Sequence, residues 1–192
     1  GFFLSVLYGC NSTTEKQLES IDRSDSFFDR SKLLDVRIEL STSDWDELRT
    51  QERVDFDLLP PDCDFPPSPF TWFNASVTIE GEEFPLVEIR KKGFFGSMSD
   101  TKPSLKIDLQ EFVEDQNYLD VERLTLNNSI QDESYVRQCL SYDMFRDAGY
   151  PAPRCNFAHV FVNDVDMGVY VNLEALKKPF LERNFEDGSG TL

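Results

Sequence analysis

The sequence predicts a domain of the α+β class, with a mainly antiparallel sheet and one major helix. Segments in which apolar and polar residues alternate with period two recur along the chain, which is typical of half-buried strands. One long segment, Asp132–Ala148, instead has helical spacing and precedes the last pair of strands. Because helices do not regularly separate the strands, antiparallel pairing is favoured over a parallel sheet. With 192 residues, 40% of them hydrophobic, the chain can form a folded core.

The remaining elements are separated by turn residues, and Ser43 and Asp44 are predicted to cap the first helix. The first half contains a strand at Leu33–Leu40, a short helix at Asp44–Arg53 and a proline-rich loop at Pro60–Pro69. A hairpin formed by Thr71–Ile79 and Glu83–Arg90 follows. The second half begins with an acidic stretch at Gln110–Asp120 and a strand at Glu122–Leu126, which precede the major helix at Asp132–Ala148. A hairpin formed by Phe157–Val162 and Gly168–Leu173 and a short helix at Lys177–Asn184 follow.

The most informative segment is Glu88–Asp108, which we call the lysine hairpin. Its alternation is interrupted by small residues and restarts at Leu105, which predicts two strands joined by a flexible loop. Small residues leave backbone N–H groups accessible, and such groups can surround an anion. The flanking lysines are Lys91, Lys92, Lys102 and Lys106, in a chain of net charge −17. A strongly acidic protein that gathers cations at one loop is expected to bind an anion there.

The N-terminal residues predict a secreted or cell-surface lipoprotein with an extracytoplasmic location. Residues 1–10 are apolar and look like the end of a bacterial lipoprotein signal peptide, in which Cys10 carries the lipid. The polar residues 11–32 have the composition of a tether. Membrane contact is expected only through a lipid anchor on Cys10. A short buried strand or a loose terminus is the alternative for residues 1–10.

The other cysteines, Cys63, Cys139 and Cys155, lack the spacing of a structural zinc site, so no metal ligands are predicted among them. One disulfide with a free thiol and three unpaired thiols are both compatible with the sequence. The excess of 36 acidic over 19 basic residues disfavours nucleic acid as a partner, because binding nucleic acid requires a basic face.

Several stretches in a fixed order resemble the CotH kinase family, atypical protein kinases first associated with spore coats. The matching stretches are Arg90–Gly93 (RKKG), Lys102–Lys106 (KPSLK), Leu124–Asp132 (LTLNNSIQD), Arg137–Arg154 (RQCLSYDMFRDAGYPAPR) and Val162–Glu174 (VNDVDMGVYVNLE). Their combination and order carry the resemblance, which extends roughly from Leu34 to the end of the chain. Residues 33–192 are therefore expected to form a CotH-like kinase domain that is incomplete at its C-terminal end.

The resemblance implies a kinase-like fold, of which this chain would supply the N-terminal lobe. It also implies transfer of the γ-phosphate of ATP to hydroxyl groups of a protein substrate, with Mg²⁺ as a cofactor. In this family the catalytic and metal-binding aspartates come later in the chain, so both are expected beyond Leu192. The chain by itself is therefore expected to be inactive as a kinase.

The predicted ATP-binding residues follow from the resemblance and from the lysine hairpin. Lys106 lies in mid-strand and Lys102 at the loop exit, and the complete set is Lys106, Lys102, Arg90, Lys92, Gly93, Gly96, Ser97 and Glu174, the last at the adenine-contacting hinge. The alternatives are solvated strand lysines, an arginine paired with a carboxylate, an ordinary β-turn and a surface carboxylate. The helix offers no mid-helix glutamate to pair with a lysine, since Glu133 lies in its first turn.

Two other classes of function are compatible with the sequence. A non-catalytic surface module for adhesion or structural assembly is the main alternative. A carbohydrate-active domain would use Trp45, Trp72 and Phe73 as sugar platforms, although such aromatic residues more often belong to a core. A catalytic triad is poorly supported because His159 is the only histidine. The acids of Asn163–Asp166 lack the order of an EF-hand, so a hairpin turn is predicted there.

Overall fold

The computed structural model describes residues 22–53, 68–94 and 96–189, and within them seven strands close into a barrel. In chain order the elements are α1 (Ser24–Phe27), β1 (Leu33–Glu39), α2 (Thr42–Thr50), β2 (Phe73–Ile79), β3 (Glu82–Lys92), β4 (Ser104–Asp108), β5 (Arg123–Asn127), α3 (Arg137–Asp147), β6 (Cys155–Val162), β7 (Val165–Leu173) and α4 (Lys178–Asn184). Around the barrel the strands follow the order β1-β2-β3-β4-β5-β7-β6.

Strand β1 closes the barrel. It pairs antiparallel with β2 and parallel with β6, in a register that places Val36 opposite both Ile79 and Val160. The other neighbouring strands pair antiparallel. Because side chains alternate across each strand, every second residue points into the barrel. The interior is filled by apolar residues that include Val36, Ile38, Ile89, Leu105, Ile107, Leu124, Leu126, Val160 and Tyr170.

The predicted fold class, an α+β kinase-like N-terminal lobe with one major helix, is wrong. The strands form a closed barrel, and the longest helix in the described residues, α3, has only 11 residues. The alternation located the strands, because each observed strand overlaps a predicted one. It could not reveal that β1 pairs with β6, since that contact joins segments far apart in the chain. A closed barrel was therefore missed.

The major helix is shorter than predicted, and most of its residues are not buried. The prediction was Asp132–Ala148, whereas α3 spans Arg137–Asp147. Asp132 accepts hydrogen bonds from two backbone N–H groups that follow it, and Tyr135 has a positive φ of 60°. These side-chain bonds stabilise a turn in place of the first helical turns. Within α3 only Cys139 is buried.

Most of the N-terminal predictions concern residues that lie outside the described ranges. Residues 1–21, which include Cys10 and most of the predicted tether, are outside them, and so are residues 54–67 with Cys63. The last part of the predicted tether contains α1, whose Phe27 belongs to the barrel core. None of the helices that the structure describes combines the length and the apolar character needed to cross a membrane.

One lysine of the lysine hairpin points into the barrel. Lys91 is 2% exposed, and its Nζ donates hydrogen bonds to the carbonyl oxygens of Arg49 and Gln51 at the end of α2. A cation at this position satisfies carbonyl groups that a helix leaves without partners at its C-terminus. The Lys91 ammonium group is therefore engaged in holding α2.

Candidate anion-binding cleft

Three cations lie side by side on the outer face of the barrel. Arg90 and Lys92 are two residues apart on β3 and share a face, and Lys106 on β4 is directly opposite Arg90. We call Arg90, Lys92 and Lys106 the basic triad. Like charges at opposite positions of neighbouring strands repel each other. Their arrangement therefore favours binding of an anion between them.

The basic triad lies at the centre of a cleft. Two adjoining cavities, of about 550 and about 620 Å³, are both lined by the three cations, so they form one continuous cleft among the described residues. The first cavity is bordered by the loop of the lysine hairpin, by residues 127–132 after β5 and by Gln138 of α3. The second is bordered by Trp72, by Tyr142 of α3 and by residues 173–177 at the end of β7.

The cations of the basic triad lack carboxylate partners. Among the described residues, no ion pair includes Arg90, Lys92 or Lys106. Arg90 lies over the ring of Trp72, with Cζ 4.5 Å from the centroid, and its buried Nε has no hydrogen-bond partner there. Lys92 donates a hydrogen bond to Oδ1 of Asn127. Since buried charges are normally paired, the basic triad has the character of a ligand site.

The surroundings lower the pKa of every member of the basic triad. Burial, with Lys106 as the second cause, lowers the pKa of Lys92 to about 8. Burial is also the main cause of the lowered pKa of Lys106, with Arg90, Lys177 and Arg123 adding to it. Burial lowers the pKa of Arg90 as well. A bound anion would favour the charged forms and offset these effects.

At each of the two glycines of the loop, an added Cβ would displace a neighbouring side chain. Gly96 has a positive φ of 69°, and a Cβ there would lie 2.0 Å from the side-chain nitrogen of Gln131. A Cβ on Gly93 would lie 2.5 Å from the sulfur of Met98. The hydroxyl of Ser97 is engaged in the same turn, where it donates to the carbonyl of Phe94 at 2.9 Å. Gly93 and Ser97 border the first cavity, whereas Gly96 shapes the turn.

Asn128 fixes the loop beside the cleft, a role that the sequence did not reveal. Its side-chain amide donates to the carbonyl oxygens of Ser97 at 3.0 Å and Lys102 at 2.8 Å. Its backbone N–H donates to the hydroxyl of Ser104 at 2.9 Å. Asn128 is 1% exposed, so these bonds are shielded from water. The only sequence signal was an asparagine directly after a strand, which equally predicted a turn or a cap.

The structure places Lys102 outside both cavities of the cleft. Its Nζ donates to the carbonyl of Val169 at 2.8 Å and lies 3.1 Å from the hydroxyl of Tyr135. The same nitrogen is 5.1 and 4.9 Å from the ring centroids of Tyr135 and Tyr170, which is the geometry of a cation–π contact. Lys102 therefore anchors the end of the loop to β7.

Glu174 is part of a buried ion-pair cluster. Its carboxylate accepts hydrogen bonds from Arg154, at 2.7 Å, and from Arg183 of α4. We call these three residues the Glu174 cluster. Burial acts to raise the pKa of Glu174, but the hydrogen bonds from Arg183 and Arg154 outweigh burial, and the pKa is lowered. Glu174 borders the second cavity with its charge already neutralised, so it is not a simple surface carboxylate.

A disulfide joins Cys139 of α3 to Cys155 at the start of β6, with Cα atoms 5.7 Å apart. Both cysteines are buried, and they pack with Val171 and Leu173 of β7. This small apolar cluster attaches α3 to the barrel next to the cleft. The sequence left the pairing of the cysteines open, because spacing alone does not determine disulfide connectivity.

The remaining candidate residues lie away from the cleft or have structural contacts. Trp45 and Phe73 pack against the barrel core. His159 contacts Asp166 at 2.7 Å on the last hairpin. That hairpin turns through Asn163, which has a φ of 48°, so the predicted turn is confirmed. In the described part of the chain, no group of three or more His, Cys, Asp or Glu side chains is arranged to hold a metal ion.

Comparison with known proteins identifies a family, and the matched part of the chain contains the basic triad. The family model described as CotH kinase protein matches residues 89–192, which include the basic triad and most residues that line the two cavities. The inner spore coat protein H of Bacillus subtilis (strain 168) is 32% identical over 79 residues. This match covers 41% of the present chain and 22% of the length of that protein. The chain belongs to the CotH family.

Proposed function

We propose that this chain is the ATP-binding portion of a secreted or surface-anchored CotH-type protein kinase. The observation that carries the proposal is the basic triad, three cations that share a cleft without a carboxylate partner among the described residues. In a chain of net charge −17, three clustered cations without an acidic partner would be stabilised by an anionic ligand. The matching family is described as a kinase protein, which supports the phosphates of ATP as that ligand.

The two cavities suit the two parts of a nucleotide. In the proposal, the phosphates occupy the basic triad and the first cavity, where Lys92, Lys106 and the planar fork of Arg90 provide donors. The base and ribose occupy the second cavity, where Trp72 and Tyr142 provide flat apolar surfaces. A phosphate group between the three cations would raise their pKa values back toward the ordinary ones, since a nearby negative charge favours the charged form.

Mg²⁺ enters the proposal only as a partner of the nucleotide. It would neutralise charge on the phosphates during transfer, but the described residues do not provide a set of acidic ligands for it. The acceptor hydroxyl and its protein also belong to the proposal for the whole protein, since the matched stretch covers 22% of the relative. The residues of this chain bind and orient the phosphates, and we assign them no further step.

Two observations support an extracytoplasmic location. The buried disulfide between Cys139 and Cys155 is typical of oxidising compartments. The relative is named as an inner spore coat protein, which suggests a coat or surface location for this chain as well. Attachment through a lipid on Cys10 is part of the proposal, and labelling with a radioactive fatty acid in cells that express wild-type and Cys10→Ala protein would test it.

The experiment for ATP binding is titration calorimetry of the purified chain with ATP, with and without Mg²⁺. Lys106→Ala is expected to weaken binding at least about tenfold, because one charge-assisted hydrogen bond to phosphate is lost. Lys178→Ala is the matched control, since Lys178 is an exposed lysine on α4 outside both cavities. Absence of ATP binding by the wild-type chain, or unchanged affinity of Lys106→Ala, would favour the adhesion or assembly module instead.

A further inference from the structure

The helix that walls the cleft has little apolar contact with the barrel. Of the residues of α3 only Cys139 is buried, while Leu140 and Met144 are 56% and 66% exposed. A helix of 11 residues is marginal in water unless tertiary contacts hold it. The position of α3 therefore depends on a few specific attachments and not on a buried helix face.

Most of those attachments join α3 to the start of β6 or to the residues just before it. The disulfide links Cys139 to Cys155, and Arg30 donates to the carbonyl of Cys155 while it pairs with Asp143 of α3. Arg146 of α3 donates to the backbone just before β6. Among these contacts the disulfide is covalent and buried, whereas the ion pairs are partly exposed and weaker. The disulfide is thus the principal attachment of α3.

A chain of hydrogen bonds leads from this attachment to the basic triad. Gln138 is the neighbour of Cys139, and its side-chain oxygen accepts a hydrogen bond from the amide of Asn127 at 2.8 Å. The other end of the Asn127 side chain accepts from Lys92. Because Gln138 holds the amide nitrogen of Asn127, the amide oxygen is turned toward Lys92. The nitrogen of Gln138 in turn lies 3.3 Å from the hydroxyl of Tyr142 on α3.

We propose that the Cys139–Cys155 disulfide is a positioning element of the cleft, which acts through Gln138 and Asn127 to orient Lys92 toward bound phosphates. The proposal rests on the proposed function, because it concerns the same ligand. Without the disulfide, α3 loses its covalent attachment and Gln138 no longer fixes the amide of Asn127. Lys92 then keeps its place on β3 but loses the acceptor that orients its ammonium group. A lysine side chain that is free to rotate binds phosphate less well, because binding must then fix its conformation at a cost in entropy.

The test is a double-mutant cycle on phosphate affinity. The variants are Gln138→Met, Cys139→Ala/Cys155→Ala and their combination, and the probe is sodium tripolyphosphate, followed by titration calorimetry. Each change is expected to weaken binding about fivefold, the equivalent of one hydrogen bond. The combination is expected to weaken it no further, because both changes interrupt the same path. Ser141→Ala, on the exposed side of α3, is the matched control and should leave affinity unchanged.

A pH profile separates orientation of Lys92 from a general loss of structure. Asn127 accepts a hydrogen bond from Lys92 and so favours the charged form of Lys92. Affinity is expected to fall once the pH exceeds the pKa of Lys92, and loss of this acceptor should move that fall to a pH lower by about half a unit or more. The charged residues that line the first cavity with Lys92 are Arg53, Arg90, Lys91, Lys106 and Asp132. They are unchanged in all variants, so a shift would report the contact with Asn127. Ser141→Ala should show the wild-type profile.

The outcomes distinguish this inference from the proposed function. If Lys106→Ala abolishes tripolyphosphate binding while Gln138→Met and the double cysteine variant bind normally, the positioning role is refuted and the phosphate site stands. If the wild-type chain does not bind tripolyphosphate, both fail together. Additive losses in the cycle would also refute a common path. If the double cysteine variant is unfolded by circular dichroism, Gln138→Met decides the matter through its affinity and pH profile.

Discussion

Two charged groups on this barrel, the basic triad and the Glu174 cluster, differ in whether the chain itself supplies the counter-charge. In the Glu174 cluster, two arginines meet one buried carboxylate, and the pKa of Glu174 is lowered. In the basic triad, three cations meet no carboxylate among the described residues, and the pKa of Lys92 is lowered to about 8. The first group joins β6, β7 and α4, whereas the second leaves its donors available to a ligand. Charges that are neutralised by other residues of the chain stabilise the structure, whereas charges without such a partner are available to bind a ligand.

The largest expected effect comes from breaking the neutralised group. Glu174→Gln leaves Arg183 without a carboxylate and Arg154 with only the exposed Asp25, and should lower the free energy of unfolding by about 3 kcal/mol. Urea denaturation at pH 7 measures this change. The control is Asp46→Asn, which removes a surface ion pair with Arg49 and should cost about 0.5 kcal/mol or less. Equal losses in the two variants would show that Glu174 is not a buried structural charge.

A change of opposite sign is expected in the basic triad. Lys106→Met removes a partly buried cation whose pKa is lowered by burial and by three neighbouring cations, and should raise the free energy of unfolding by about 1 kcal/mol. The matched variant is Arg183→Met, which removes a cation from the Glu174 cluster and should lower the free energy of unfolding. Thermal and urea unfolding of both variants test the contrast. If Lys106→Met destabilises the chain as much as Arg183→Met does, an ion partner of Lys106 exists.

A smaller effect is expected in the pH dependence of stability. The pKa of Lys92 is lowered from its ordinary value of 10.5 to about 8, so between these values the unfolded chain binds more protons than the folded one. Its contribution therefore makes stability rise as the pH increases through this interval. Urea midpoints at pH 7.5 and 9.5 should show a larger rise in the wild-type chain than in Lys92→Met. Saturating tripolyphosphate should reduce the rise, and an identical rise in both proteins would contradict the assignment.

The smallest effect on ligand binding is expected for Lys102. Its ammonium group is engaged with Val169 and with the rings of Tyr135 and Tyr170, outside both cavities. Lys102→Met should therefore change ATP affinity by less than about twofold while it lowers stability by roughly 1 kcal/mol. Calorimetry and thermal unfolding measure the two quantities. A tenfold loss of affinity at unchanged stability would place Lys102 among the phosphate ligands after all.

The sequence predicted the centre of the cleft better than its boundaries. Period-two spacing put Arg90 and Lys92 on one face, and the lysine hairpin brought Lys106 across from them. Lys102 looked equivalent in the sequence, because nothing local shows that β7 provides an acceptor for its amine. Asn128 was predicted only to cap or turn, although its side chain holds the loop. Contacts between separate segments decide both cases.

The sequence by itself determined where the strands lie and which cations alternate on β3, because these features depend on neighbouring residues and their spacing. The tertiary structure alone decided that β1 pairs with β6, that Cys139 meets Cys155 and that two arginines converge on Glu174. Each of these contacts joins residues far apart in the chain, so its geometry exists only once the barrel has closed. Which charges remain without a partner is likewise a property of the closed barrel.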